Sequence, residues 1–231
     1  MRTYHKINTI FKRDIKGNLL EGEYSTPEIE YLKDNDWVWT EKVDGTNIRV
    51  GWSHIRPLTI DFMGRNNDSE IPTFLVQKLA EIFDCEEFSA NFKDKEVILC
   101  GEGYGGRIQK AGSKYIENSV DFILFDVIIS NMYLKREDVE EVAKKLYLDV
   151  VPILGHGTLP EAVTAIKNLK LKSKLGDFLS EGIVLKPVTE MYDRLGHRIV
   201  TKLKYKDFYK ETRYDDERTG ESDDDIPKEG M

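Results

Sequence analysis

Sulfur and imidazole are scarce in this chain: its 231 residues include 2 cysteines and 4 histidines. Cys85 and Cys100 are too few for a disulfide framework or a thiolate metal site, so reducing cytoplasm is the expected compartment. The histidines are scattered, and no pair has zinc-ligand spacing. No run of about 18 apolar residues occurs, so neither a transmembrane helix nor a membrane partner is expected. No apolar stretch follows Met1 to His5, so a secretory signal is not expected either. The glycines do not fall in the spacing of a P-loop or a dinucleotide fingerprint.

Basic residues are in deficit, and the formal net charge is −8. Taken alone, that speaks against nucleic acid. The imbalance is local, however. Residues 211–231 hold 9 acids against 3 bases, whereas the rest is close to neutral. That stretch is poor in apolar residues and reads as a disordered acidic tail. Residues 1–210 are left as one domain, with apolar residues at 40% of the chain sufficient for a core. A basic face on this body remains open.

The most informative stretch is Trp37 to Val50. Two β-prone runs flank Asp44-Gly45, a strong turn dipeptide, and predict a hairpin with Lys42 just before the bend. A plain hairpin with an exposed lysine is one reading. A half-buried lysine is the other: burial disfavours the charged form, and a neutral amine is a nucleophile. The first 36 residues read as a surface cap. A strand is expected over Ile55 to Met63, then a polar loop from Gly64 to Asp68 that carries Arg65. Pro72 to Phe83 has helical periodicity, with Leu75, Leu79 and Ile82 inward, and Glu86 to Phe92 is a second short helix.

Glu96 to Cys100 is a buried-type strand running into Gly101-Glu102-Gly103-Tyr104-Gly105, whose glycines permit close backbone approach. Arg107, Lys110 and Lys114 follow, either as a solvated loop or as phosphate contacts. Val120 to Ile129 is a strongly apolar strand, and Lys135 to Leu148 an amphipathic helix. Val150 to Leu154 reads as a strand, and Thr158 with Glu161 forms a capping box for another helix. In Glu181-Gly182-Ile183-Val184-Leu185-Lys186-Pro187, the glutamate and the lysine stand on opposite faces of a regular strand. Lys202, Lys204 and Lys206 share one strand face. Three lysines on one face usually mean solvent; an anionic ligand is the alternative. Strands interspersed with few helices predict an α+β fold rather than a doubly wound parallel sheet.

Five of these segments occur in one order over most of the chain. Lys42-Val43-Asp44-Gly45 resembles the K-x-D-G motif of ATP-dependent ligases and RNA capping enzymes. Gly101 to Gly105, Phe122 to Asp126, Glu181 to Pro187 and Lys202 to Lys204 resemble the motifs that follow it. Glu41 before the lysine and Thr46-Asn47 after it resemble the RNA ligase 2-like branch, whereas Asp44 is the form typical of the wider superfamily.

The resemblance implies a nucleotidyltransferase fold, with two antiparallel sheets, a nucleotide groove between them and helices outside. It implies an ATP-dependent RNA ligase using ATP and Mg²⁺ or Mn²⁺, with Lys42, Glu181, Lys202 and Lys204 catalytic. Glu181 would also hold metal. Glu41, Asn47, Arg65, Glu102, Phe122 and Lys186 would bind nucleotide, with Arg49 a rival to Arg65 and Phe125 a rival to Phe122. Partners would be RNA ends bearing a 5′-phosphate and a 3′-hydroxyl. Ligases of this branch often carry an added domain. This chain ends soon after Lys204, so a protein partner in its place is expected. A minimal DNA ligase, a GTP-using capping enzyme and a nick-binding module are the competing readings.

Overall fold

The computed structural model describes residues 1–168 and 171–209. The expected acidic tail over 211–231 lies outside them. In chain order the strands are β1 (Asn8–Thr9), β2 (Phe11–Arg13), β3 (Leu19–Tyr24), β4 (Trp37–Glu41), β5 (Gly45–Ser53) and β6 (Ile60–Gly64), followed by β7 (Glu96–Tyr104), β8 (Asp121–Ile129), β9 (Met132–Tyr133), β10 (Ile153–Gly157), β11 (Gly182–Pro187) and β12 (Thr201–Lys204). The helices are α1 (Pro27–Tyr31), α2 (Thr73–Ile82), α3 (Cys85–Phe92), α4 (Arg136–Lys145) and α5 (Leu159–Lys167).

Two five-stranded sheets dominate this α+β arrangement. The first has the order β1-β12-β11-β4-β10 and the second β6-β5-β7-β8-β9, with β2 and β3 forming a small third sheet. All pairs are antiparallel except β1 with β12. Each large sheet buries one face under helices. Leu75 and Leu79 of α2, Phe88 and Phe92 of α3, and Val139 and Val142 of α4 pack on the second sheet. Leu159, Val163 and Ile166 of α5 and Ile29 of α1 pack on the first. Apolar periodicity places these helices, and the Thr158–Glu161 capping box starts α5 as expected. Among the described residues no helix is long and apolar enough to cross a membrane.

The expected hairpin at Asp44-Gly45 does not form. β4 pairs with β10 and β11 in the first sheet, while β5 pairs with β6 and β7 in the second. The chain steps from one sheet to the other through Lys42, Val43 and Asp44. Glycine at 45 is required by strand packing, because a Cβ there would collide with the Gly103 carbonyl. The strand expected from Ile55 begins only at Ile60, since Ser53 to Thr59 form hydrogen-bonded turns and Ile55 and Leu58 are exposed. The first residues are not a surface cap. Tyr4 is buried, its backbone N–H donates to the Arg65 carbonyl at 3.0 Å, and β1 continues onto the edge of the first sheet.

Candidate active site

The faces of the two sheets not covered by helices enclose a cavity of about 390 Å³. Strand alternation decides which side chains reach it. In β12, Leu203 is buried toward α5, so Lys202 and Lys204 project to the opposite side. In β11, Ile183 and Leu185 point toward the same helix layer, leaving Val184 and Lys186 on the cavity. Lys206 does not share this face, because the chain leaves the strand at Tyr205 for a 3₁₀ turn.

Lys42 stands at the step between the sheets. Its backbone N–H donates to the Gly182 carbonyl at 3.0 Å. Its Nζ donates to Glu181 Oε2 at 2.6 Å, and Lys204 Nζ bonds the other carboxylate oxygen. Glu181 precedes β11 and escapes the strand parity that would put it opposite Lys186, so both reach the groove. Burial alone would raise the Glu181 pKa, but Lys42 and Lys204 outweigh it and hold the carboxyl below its ordinary value. Lys202 is pushed down to about 8, chiefly by burial and then by Lys204 and Lys42. Glu102 lies across the groove on β7, opposite Asn47. Burial lifts it to about 8 against the opposing pull of Lys42, with Glu181 and Asp44 adding to the rise.

Two oxygens in the cavity lining are buried without a hydrogen-bond partner: Glu41 Oε1 and Asn47 Oδ1. The other Glu41 oxygen accepts from the Lys174 backbone N–H at 3.0 Å. Orphaned buried acceptors are costly, and a ligand that donates N–H or O–H groups would satisfy them.

Phe122 is not in the groove. It is buried in the helix-side core, with its ring 5.3 Å from that of Phe83, and it lies over Gly101, where a Cβ would strike it. Phe125 lines the cavity instead. The register between β7 and β8 slips between Cys100–Asp126 and Gly101–Leu124, leaving Phe125 as the extra residue of a bulge. Bulges re-aim side chains in this way. Of the two arginines, Arg65 lines the cavity. Arg49 is buried and holds the loops beneath, donating to the carbonyls of Gly64 at 2.7 Å and Arg2 at 2.5 Å. The loop after β7 is anchored too: Arg107 lies 4.3 Å over the Phe74 ring, and Lys114 5.0 Å over that of Phe178.

Behind Phe125 sits a buried charge network that the sequence does not reveal. Asp126 accepts from Lys186 Nζ at 2.6 Å, Arg198 Nη1 at 2.7 Å and the Tyr4 hydroxyl at 2.6 Å. Burial opposes its ionisation, but Lys186 and Arg198 win and hold the carboxyl well below the usual range. Arg198 also pairs with Glu190. Lys186 therefore has a carboxylate partner inside the protein, and the network ties β8 of the second sheet to β11 of the first. Arg198 comes from a polar turn without a motif. Tyr4, His5 and Lys6 also line the cavity, and their only sequence signal is a short β-like stretch.

Among the described residues no three His, Cys, Asp or Glu side chains converge on a metal position. Glu181 and Glu102 fit a hard divalent cation only where phosphate and water complete its shell, the usual arrangement for Mg²⁺.

A family model described as RNA ligase matches residues 35–206, and the chain belongs to that family. Solved structures share the fold at low identity. An archaeal ATP-dependent RNA ligase matches with a TM-score of 0.61 and 19% identity over 90% of this chain and 49% of its own. A variant of Naegleria gruberi RNA ligase with ATP and Mn matches with a TM-score of 0.61 and 21% identity over 88% and 56%. The Naegleria gruberi enzyme with PPi gives a TM-score of 0.56 and 21% identity over 87% and 61%. The chain thus spans about half the length of these structures. No curated protein matches significantly by sequence.

Proposed function

We propose that this chain is an ATP-dependent RNA ligase that passes through a lysyl-AMP intermediate at Lys42. Residues 1–210 would form its nucleotidyltransferase domain, and the cavity between the sheets its nucleotide groove. The observation that carries the reading is the Lys42–Glu181–Lys204 array at the step between the sheets. A nucleophile, a carboxylate and a phosphate-binding cation meet there beside a cavity with unsatisfied acceptors.

Lys42 Nζ, as the neutral amine, attacks the α-phosphorus of ATP. The N–P bond forms, the bond to the bridging oxygen breaks, and pyrophosphate leaves with the electron pair. The amine proton passes to solvent. Glu181 keeps Lys42 and Lys204 in place before the nucleotide enters. Lys204 and Lys202 stabilise negative charge on the α-phosphate. Phe125 stacks on the adenine, and Glu41 Oε1 accepts from its amino group. Asn47 and Glu102 face the sugar, with Arg65 nearer the phosphates. A divalent cation, Mg²⁺ or Mn²⁺, would neutralise phosphate charge, with Glu181 as its principal protein ligand. AMP then passes to an RNA 5′-phosphate, and a 3′-hydroxyl displaces it to seal the strand. A protein partner that supplies further RNA contacts belongs to the same reading.

The test is incubation with Mg²⁺ and α-labelled ATP beside equally labelled GTP, followed by denaturing electrophoresis. Acid-labile label from ATP is expected. Label from GTP would instead make this a capping-type enzyme. No label from either, with folded and unadenylylated protein, would leave a nick-binding module. Sealing of nicked RNA but not nicked DNA is expected from the adenylylated protein.

A further inference from the structure

The N-terminal segment closes one edge of the groove like a strap. Tyr4 is hydrogen-bonded to the Arg65 carbonyl beyond β6, the outer strand of the second sheet. Farther along, Thr9 of β1 pairs with Lys202 of β12 in the first sheet. Lys6 lies between these two attachments. Three cations from three separate segments, Arg65, Lys6 and Lys202, therefore line the same cavity. Among the described residues none of the three pairs with a carboxylate, unlike Lys42, Lys186 and Lys204. They stand without an ion pair in a chain whose net charge is −8.

We propose that Arg65, Lys6 and Lys202 form a binding edge for phosphate oxyanions, with Lys6 a substrate-binding residue that lies outside every recognisable motif. The proposal rests on the reading that the groove takes ATP. In phosphoryl-type transfer the leaving group departs roughly in line with, and opposite to, the attacking atom. The β- and γ-phosphates must then point away from Lys42; Lys202, close enough to feel Lys42 and Lys204, takes the α-phosphate end of the edge, and Lys6 and Arg65 are the unpaired cations that suit the rest. Burial chiefly, and then Lys204 and Lys42, depress the pKa of Lys202, and Lys6 adds a smaller push in the same direction. A terminal phosphate can also come from the RNA 5′ end, so the test separates the two sources.

The experiment compares the full chain with Lys6→Ala and Lys6→Arg in three assays. These are tripolyphosphate binding by calorimetry, the first-step KM for ATP, and AMP transfer from pre-adenylylated protein to 5′-phosphorylated RNA after ATP is removed. Lys6→Ala is expected to weaken tripolyphosphate binding and raise the KM for ATP, each by about tenfold, the loss of one charge-assisted contact. Its first-step kcat should stay within about twofold, transfer to RNA should not change, and Lys6→Arg should restore both losses. Impaired transfer to RNA with a normal ATP step would overturn ATP as the source and assign the edge to the RNA 5′-phosphate. No change in any assay would overturn the binding edge altogether. If the wild-type chain takes no label from ATP, the ligase reading fails, yet the calorimetric comparison still decides whether Lys6 binds phosphate.

Discussion

Lys42 and Glu181 are separated by 139 positions in the sequence and meet at 2.6 Å. The contact joins the end of β4 to the start of β11, and Lys204 completes it from β12. Lys42→Ala is expected to abolish covalent attachment of labelled AMP. Glu181→Ala should slow attachment about 100-fold, the scale on which one stabilising group is lost from a reaction centre. Single-turnover labelling measures both, and undiminished attachment in the Lys42 variant would transfer the nucleophile's role to another residue.

The two phenylalanines of β8 should behave in opposite ways. Phe122→Ala removes a ring from the helix-side core and should cost about 3–5 kcal/mol of stability. Phe125→Ala removes a ring from the cavity wall and should raise the KM for ATP about tenfold. Urea unfolding and first-step kinetics on both variants distinguish these roles. A Phe122 variant that unfolds normally but binds ATP poorly would reverse the assignment.

Asp126 should govern acid stability. Its carboxyl is held low in the folded state by Lys186 and Arg198, against the effect of burial. A depressed carboxylate pKa stabilises the fold above the unfolded-state value of about 3.9, and that contribution is lost as pH falls below it. Asp126→Ala should cost about 3–5 kcal/mol at pH 7, because it strands the buried Lys186 and leaves Arg198 with Glu190 alone. The wild-type advantage over the variant should shrink between about pH 4 and 2, as read by chemical unfolding across pH.

ATP affinity should weaken above about pH 8. Lys202, lowered to about 8, would hold phosphate best when protonated, so above that pH binding would require proton uptake. Glu102, raised to about 8, gains negative charge over the same range and acts in the same direction. The logarithm of KM for ATP should be flat below this pH and rise above it. Lys202→Arg should move the rise upward, since arginine stays charged. Glu102→Gln should make the rise shallower. A flat profile from pH 6 to 10 would remove both groups from phosphate and sugar binding.

The charged groups of the groove were legible in the sequence because short motifs of charged residues in a fixed order are sparse and distinctive. Lys42, Glu181, Lys202 and Lys204 do converge. Side-chain direction was harder to read. Period-two alternation cannot foresee the bulge that turns Phe125 rather than Phe122 toward the cavity. Asp44-Gly45 looks like a hairpin, because a turn and a step between sheets make similar local demands on the chain. The partnership of Asp126 with Lys186, Arg198 and Tyr4 leaves no local trace at all. Its members come from four separate segments, and only the packed sheets bring them together.

The step through Lys42, Val43 and Asp44 also sets a mechanical condition on the groove. Each residue spans at most roughly 3.3–3.6 Å, and stacked sheets lie about 10 Å apart, so this link has little slack. The walls can part least where Lys42 stands. Along the edge strapped by Tyr4 to Thr9 they are joined through hydrogen bonds rather than a short covalent link. The groove is therefore hinged like a book, with the Lys42 amine at the spine, the Asp126 network as a clasp between the covers, and Lys6, Arg65 and Lys202 on its open lining.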